Sequence, residues 1–195
     1  MHKYRKHRIP IIKRHLGSHQ KSILDFGCGS GEVIYLLQES GFAVDGFDPS
    51  KKAVSSAKKY LKSIRLFSSL GDLDNKYDAI TSFSVLQYSE NKSEQMEKMV
   101  GMLKIGGKLF IGTPKYFSLY ALLRRNFTPK EWEYIPKESR LKLVSVEAEV
   151  PSYLYDYSSR ITQIVKWGIY GMAKFLSIFN IRVHSAYVHV FEKVK

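Results

Sequence analysis

The eight residues Asp25-Phe26-Gly27-Cys28-Gly29-Ser30-Gly31-Glu32 constrain this chain more than any other stretch of it. Three glycines at alternate positions follow the apolar run Ser22 to Phe26. They precede Glu32 to Ser40, where Val33, Leu36 and Leu37 recur at helical spacing and Gly41 ends the pattern. The run reads as a buried strand and the spacing after it as a helix. A glycine bend between the two lets the backbone turn tightly and lets a ligand approach with no side chain in the way. In an open α/β sheet such a bend lies at the carboxyl edge, where ligands bind. A dinucleotide fingerprint would need glycine where Glu32 stands, and the Gly-Lys-Ser/Thr of a phosphate loop is absent. Read without a ligand, the same residues would make an ordinary tight turn.

Strand and helix patterns alternate beyond the bend. Strands are expected at Phe42–Phe47, Ile64–Phe67, Tyr77–Phe83 and Lys108–Gly112. Pro49-Ser50 opens a helix with Ala53, Val54, Ala57 and Leu61 on one face. Ser93 caps another, carrying Met96, Met99, Val100 and Leu103, which Gly106-Gly107 closes. Such βαβ alternation predicts a parallel sheet with helices on both faces. After Pro114 the pattern changes. Thr128-Pro129-Lys130-Glu131 reads as a helix start, Leu141–Val150 and Ala186–Val194 alternate as strands, and Arg160–Phe179 has helical spacing. A second acid, Asp48, ends the strand Val44-Asp45-Gly46-Phe47-Asp48. A carboxylate at that tip can accept both hydroxyls of a ribose, or cap the helix that Pro49 begins. Asp45 sits mid-strand and is the poorer ribose partner.

At 195 residues the chain has the length of one domain with a sizeable core. Its single cysteine, Cys28, excludes an internal disulfide and favours a reducing, cytoplasmic setting. The start, Met1 to Gln20, is basic and lacks a signal-peptide apolar stretch, and no uncharged apolar run of about 18 residues suggests a membrane span. The net charge of +13 is concentrated at the ends. Seven Lys/Arg and no acid lie between Met1 and Lys21, and eleven residues of each sign lie between Ser22 and Pro114. Basic flanks suit solubility alone, or an anionic partner.

The motifs in combination resemble the class I S-adenosylmethionine-dependent methyltransferases. The first reads ILDFGCGSG (Ile23–Gly31) and the second VDGFD (Val44–Asp48). YDAITSFSVLQY (Tyr77–Tyr88) is similar to the family's fourth strand and following loop, and MLKIGGKLFIGTPKY (Met102–Tyr116) to its fifth-strand motif. The pattern is most similar to the small-molecule branch, which includes ubiquinone-pathway O-methyltransferases and enzymes that modify glycans and lipids. The resemblance implies an α/β fold: a Rossmann-like doubly wound sheet, mostly parallel with an antiparallel last strand, in a three-layer αβα sandwich. Residues 1–195 would form one domain. A basic arm spans 1–21, the cofactor-binding core 22–115, and an acceptor-selecting part 116–195.

The resemblance also implies S-adenosylmethionine as cofactor. Asp25, Gly27, Cys28, Gly29 and Gly31 would cradle its methionine part, and Asp48 with Pro49 its ribose. Ser69 and Leu70 would border the adenine, within reach of Asp72. Phe83 and Ser84 would line the methionine end, with Tyr4 and Arg8 covering it. Tyr88 and Tyr116 would stand on the acceptor side. Where relatives carry Leu-Glu-His or Leu-His-His, this chain has Leu86-Gln87-Tyr88, so no catalytic base is assigned. His184 and His189 are substitutes or plain strand residues. No His/Cys cluster suggests a metal. An Asn/Asp-Pro-Pro-Tyr motif and a cysteine after the fourth strand are both absent, which sets the chain apart from the enzymes that methylate amino nitrogens of adenine or of protein glutamine and from the cytosine-C5 enzymes.

Residues 160–179 place Arg160, Gln163, Lys166, Lys174 and Ser177 within one helical sector, and the rest of the stretch is apolar, including Trp167, Phe175 and Phe179. That suits contact with an anionic membrane surface, a cover over the site or a dimer contact. The expected function is methyl transfer, to oxygen, on a small or lipid-linked acceptor. The basic flanks also admit an RNA acceptor, and the missing histidine a non-catalytic cofactor-binding module.

Overall fold

The structure, a computed structural model, describes residues 8–17, 21–61, 63–114, 140–149 and 186–194. Its strands are β1 (Ser22–Phe26), β2 (Ala43–Phe47), β3 (Leu66–Phe67), β4 (Tyr77–Phe83), β5 (Leu103–Pro114), β6 (Leu141–Glu149) and β7 (Ala186–Lys193). Its helices are α1 (Arg8–Leu16), α2 (Glu32–Gln38), α3 (Lys51–Lys58) and α4 (Lys92–Met102). The sheet runs β3-β2-β1-β4-β5-β7-β6. Strands β1 to β5 pair in parallel, and β7 runs antiparallel to both β5 and β6. The mostly parallel Rossmann-like sheet with its antiparallel last strand is therefore present. That last strand is not the last in space, since it inserts between β5 and β6.

Parallel strands covered on both faces need apolar side chains on both. Ile23, Ala79, Phe110, Val188 and Val190 pack under Ile9 and Ile12 of α1 and Val33 and Leu37 of α2. On the other face Leu24, Ile80, Leu109 and Phe191 meet Met96 and Met99 of α4. A third cluster joins Cys28 and Ile34 to Val54, Ala57 and Leu61. Strand order reverses between β1 and β4, which opens a crevice at their carboxyl ends.

Several local expectations change. Within the basic arm, α1 forms because Ile9, Ile12 and Leu16 make one apolar face, and three basic residues suit its last turn. Asn91, not Ser93, caps α4, its side chain accepting from Glu94 N at 3.0 Å. Nor does Gly106-Gly107 end that helix. Lysines satisfy its final carbonyls instead: Lys193 Nζ donates to Val100 O and Leu103 O at 2.9 Å, and Lys76 to Gly101 O. The glycine pair is thereby released into a bulge of β5, where Gly106 has φ +75 and Ile105 is exposed. Strand β3 shortens to two residues. Thr128–Glu131 and residues 160–179 lie outside the described residues, as do Tyr4, Tyr116 and His184. Among the described residues no helix is long and apolar enough to cross a membrane.

Candidate cofactor site

The glycine bend and the β2 tip are welded by backbone hydrogen bonds. Gly27 N and Cys28 N both donate to Phe47 O, at 2.7 and 2.9 Å. Gly29 N donates to Asp48 Oδ2 at 2.9 Å, and Ser50 N to Asp48 Oδ1 at 2.9 Å. Asp48 N in turn donates to Phe67 O at 3.1 Å, which ties in β3. Ser50, not Asp48, is the N-cap of α3, its hydroxyl accepting from Ala53 N at 3.3 Å. A carboxylate offers about four lone-pair positions. With one backbone donor on each oxygen, Asp48 keeps acceptor capacity on both, and it is half-buried at the crevice edge.

The glycines divide by what surrounds them. A Cβ on Gly27 would stand 2.2 Å from Val85 Cγ2, so this glycine is required by the chain's own packing against the loop after β4. Among the described residues a Cβ on Gly29 would meet nothing within 4 Å, although Gly29 also has positive φ, +54. Open space over a left-handed residue whose N–H already faces Asp48 is the cradle a ligand would fill. Gly31 precedes α2, its carbonyl accepting from Tyr35 N at 3.0 Å. Cys28 sends its side chain away from the bend, into the cluster with Ile34, Val54 and Leu66. Burial, then the nearby Asp25 and Asp48, push that thiol well above its ordinary range. Any contact of Cys28 with a ligand would therefore come from its backbone.

Asp25 is buried at the end of β1, and its Oδ1 accepts from the Thr81 hydroxyl of β4 at 2.7 Å. Phe83 is the buried last residue of β4, and Ser84 after it has φ +61. A non-glycine residue held there costs about 1 kcal/mol and clusters at functional turns. Ser84 N is anchored on Gly112 O at 3.1 Å. The Arg8 guanidinium of α1, itself buried, lies 4.4 Å above the Phe83 ring centroid, a cation–π contact. Beyond β3, Ser69 Oγ accepts from Gly71 N at 3.3 Å and starts a single turn, Leu70–Asp72, in which Asp72 is exposed and Leu70 half-buried. Pro49 is exposed beside Asp48, and Tyr88 is 55% exposed in the turn Leu86–Tyr88.

The structure thus brings Asp25, the glycine bend, Asp48, Pro49, Phe83 and Ser84 to one edge, at the carboxyl ends of adjacent strands. Asp45 is not among them. It holds Arg65 through two bonds, Nε at 3.1 Å and Nη2 at 2.5 Å, and accepts from the Tyr77 hydroxyl at 2.8 Å. That network borders a cavity of about 560 Å³ at the opposite, amino edge. His189 lies in β7 between Ile111 of β5 and Val146 of β6, its ring stacked on Phe191 at 6.3 Å. Burial lowers its pKa, so it is held neutral. Sequence reasoning missed Thr81, 56 positions from Asp25, and no local signal could have found it. The α1 helix was findable from the spacing of Ile9, Ile12 and Leu16. Among the described residues no group of three or more His, Cys, Asp or Glu could hold a metal.

A family described as a methyltransferase domain matches residues 1–150. The chain is 24% identical over 187 residues to the ubiquinone biosynthesis O-methyltransferase of Coxiella burnetii, covering 91% of this chain and 74% of that protein. The protein of that name from Azoarcus sp. is 25% identical over 170 residues, covering 83% of this chain and 66% of that one. In fold the chain is similar to a TehB-like SAM-dependent methyltransferase from Corynebacterium glutamicum, with a TM-score of 0.66 at 17% identity over 98% of this chain and 89% of that one. It is also similar to the plantazolicin methyltransferase BpumL in complex with SAH, with a TM-score of 0.63 at 15% identity over 97% and 82%. The family match spans most of the chain and includes both motif loops of the crevice. The chain belongs to the methyltransferase-domain family and is a class I S-adenosylmethionine-dependent methyltransferase.

Proposed function

We propose that the chain methylates a small or lipid-linked acceptor, at oxygen. The observation that carries the reading is the paired edge of Gly29 and Asp48: an N–H bend with open space above it, locked to a carboxylate that keeps acceptor capacity. Asp48 would take the ribose hydroxyls, with Pro49 beside it, and the backbone of Gly27 to Gly31 the methionine part. Asp25, fixed by Thr81, sits behind that bend as its buried carboxyl group. Ser69, Leu70 and Asp72 would border the adenine. Phe83 and Ser84 close the methionine end, and the Arg8 guanidinium over Phe83 suits a carboxylate there. S-adenosylmethionine, when bound, supplies a methyl group already activated on a sulfonium, so the chain's own part is to orient the acceptor and exclude water.

Oxygen as the acceptor atom is supported by the names of the curated relatives, which are ubiquinone biosynthesis O-methyltransferases. An apolar acceptor is supported by the aromatic and apolar composition of residues 150–185. Those residues are flanked by Glu149 and Ala186, which pair in one row with Pro114 at the carboxyl end of β5. Peripheral contact of residues 160–179 with an anionic membrane belongs to the same proposal, and co-sedimentation with vesicles containing phosphatidylglycerol tests it. The cofactor assignment is tested by calorimetry with S-adenosylhomocysteine. Saturable binding is expected, weakened at least tenfold in Asp48→Ala. A variant that binds like its parent would remove Asp48 from the site.

A further inference from the structure

Helix α1 is tied to the sheet at both ends. At its start Arg8 lies on Phe83, at the cofactor edge. Near its end Arg14 Nη1 donates to Glu147 Oε2 of β6 at 2.8 Å. His15 Nε2 lies 3.0 Å from Glu147 Oε1 and 3.2 Å from Ser145 Oγ, and its ring meets Phe110 edge-on at 6.1 Å. Between the two ends Ile9, Ile11 and Ile12 are buried against Phe83, Phe110, Val188 and Val190.

These contacts fix different things. Apolar burial is non-directional, so the isoleucines hold the helix on the sheet without setting its rotation or its register. Hydrogen bonds to one carboxylate are directional and do set them. The Glu147 and His15 side chains are only 20% and 14% exposed, so this pair is shielded in a way that the outer Arg14 is not. A helix rises about 1.5 Å per residue and is stiff, so a shift at His15 is carried to Arg8, about 10 Å away.

We propose that Glu147 is a positioning residue for cofactor binding. By clasping Arg14 and His15 it sets the register of α1 and so holds Arg8 over Phe83. The claim rests on the reading of Arg8 given above. It places the control of one end of the cofactor crevice on β6, a strand at the far edge of the sheet.

The test is a double-mutant cycle on the full chain, read as S-adenosylhomocysteine affinity by calorimetry. Glu147→Ala should weaken binding about tenfold, and so should Arg8→Met. If Glu147 acts through Arg8, the double variant binds no more weakly than Arg8→Met alone. Losses that multiply would overturn the proposal, as would an unchanged affinity in Glu147→Ala. Glu147→Gln, which keeps size and one acceptor oxygen, repeats the cycle should the alanine variant not fold. Absence of binding by the parent chain would instead remove the cofactor reading itself, and this inference with it.

Discussion

Gly27 and Gly29 show how two residues of one motif answer to different constraints. Both have positive φ, but only Gly27 is boxed in by the protein, with Val85 Cγ2 2.2 Å from its missing Cβ. Gly27→Ala must both hold a left-handed alanine and displace Val85. The first costs about 1–2 kcal/mol and the second about 1–3 kcal/mol. Gly29→Ala carries the backbone cost alone, because its methyl group would enter open space. A loss of about 1–2 kcal/mol corresponds to a fall of about 2–8 °C in melting temperature for a chain of this size. Gly29→Ala should therefore melt only slightly below the parent, yet bind S-adenosylhomocysteine at least tenfold more weakly. Gly27→Ala should lose substantially more stability. Thermal unfolding and calorimetry on the two variants check this, and equal stability losses would contradict the division of roles. The motif itself was legible in the sequence. Which of its glycines serves the fold and which the ligand was not, since Val85 is 58 positions from Gly27 and met only in space.

At the scale of elements, one carboxylate, Glu147, pins helix α1 to the sheet, another, Asp78, pins neighbouring strands, and both respond to acid. For Glu147, the His15 hydrogen bond is the main cause of a pKa below the ordinary value of 4.5, helped by Arg14 and opposed by burial. For Asp78, burial acts upward, but hydrogen bonds from Ser22 N at 2.9 Å, Ser22 Oγ at 2.8 Å and Lys104 Nζ at 3.0 Å prevail and hold it below 3.8. The unfolded chain binds protons at these groups before the folded chain does. Their contribution is present above the ordinary carboxylate range and is lost as pH falls through the lowered folded values. His189 acts earlier and with the same sign. Burial depresses its pKa below 6.5, so the unfolded state takes up a proton first and stability declines from about that pH downward. Melting temperature should thus fall in two stages on acidification, the first removed by His189→Phe and the second made shallower by Glu147→Gln or Asp78→Asn. A profile unchanged by these substitutions would mean that other groups govern acid unfolding. Elements set by local pattern, such as β4 at Tyr77–Phe83, were readable to the residue. Those whose ends depend on remote lysines, as α4 does on Lys193 and Lys76, were not. Basic composition masked α1, although its isoleucines carried the signal.

The whole molecule sorts its polar chemistry to opposite edges of one sheet. The carboxyl edge gathers Asp25, the glycine bend, Asp48 and Ser84, while Asp45, Arg65 and Tyr77 close on one another at the amino edge. Sequence order separates Asp45 from Asp48 by three positions, and it sets Asp45 within the strand and Asp48 at its tip. Which partners each then meets is decided by the pairing of β2 with β1 and β3. The same pairing buries Cys28 between the bend and α3, which makes this lone thiol a reporter on the integrity of the site. Its exposure requires the bend to part from Phe47 O and from the cluster of Ile34, Val54 and Leu66. Burial together with the charges of Asp25 and Asp48 also suppresses the reactive thiolate. In the native chain, reaction with an aromatic disulfide reagent should be at least about a thousandfold slower than in urea, proceeding only through opened molecules. A ligand that binds the closed bend slows that route by the factor 1 + [L]/Kd, about a hundredfold at a hundred times Kd. Protection by S-adenosylhomocysteine should follow this law with the Kd found by calorimetry. Rapid labelling that the ligand leaves unchanged would place both the thiol and the binding elsewhere than at this bend.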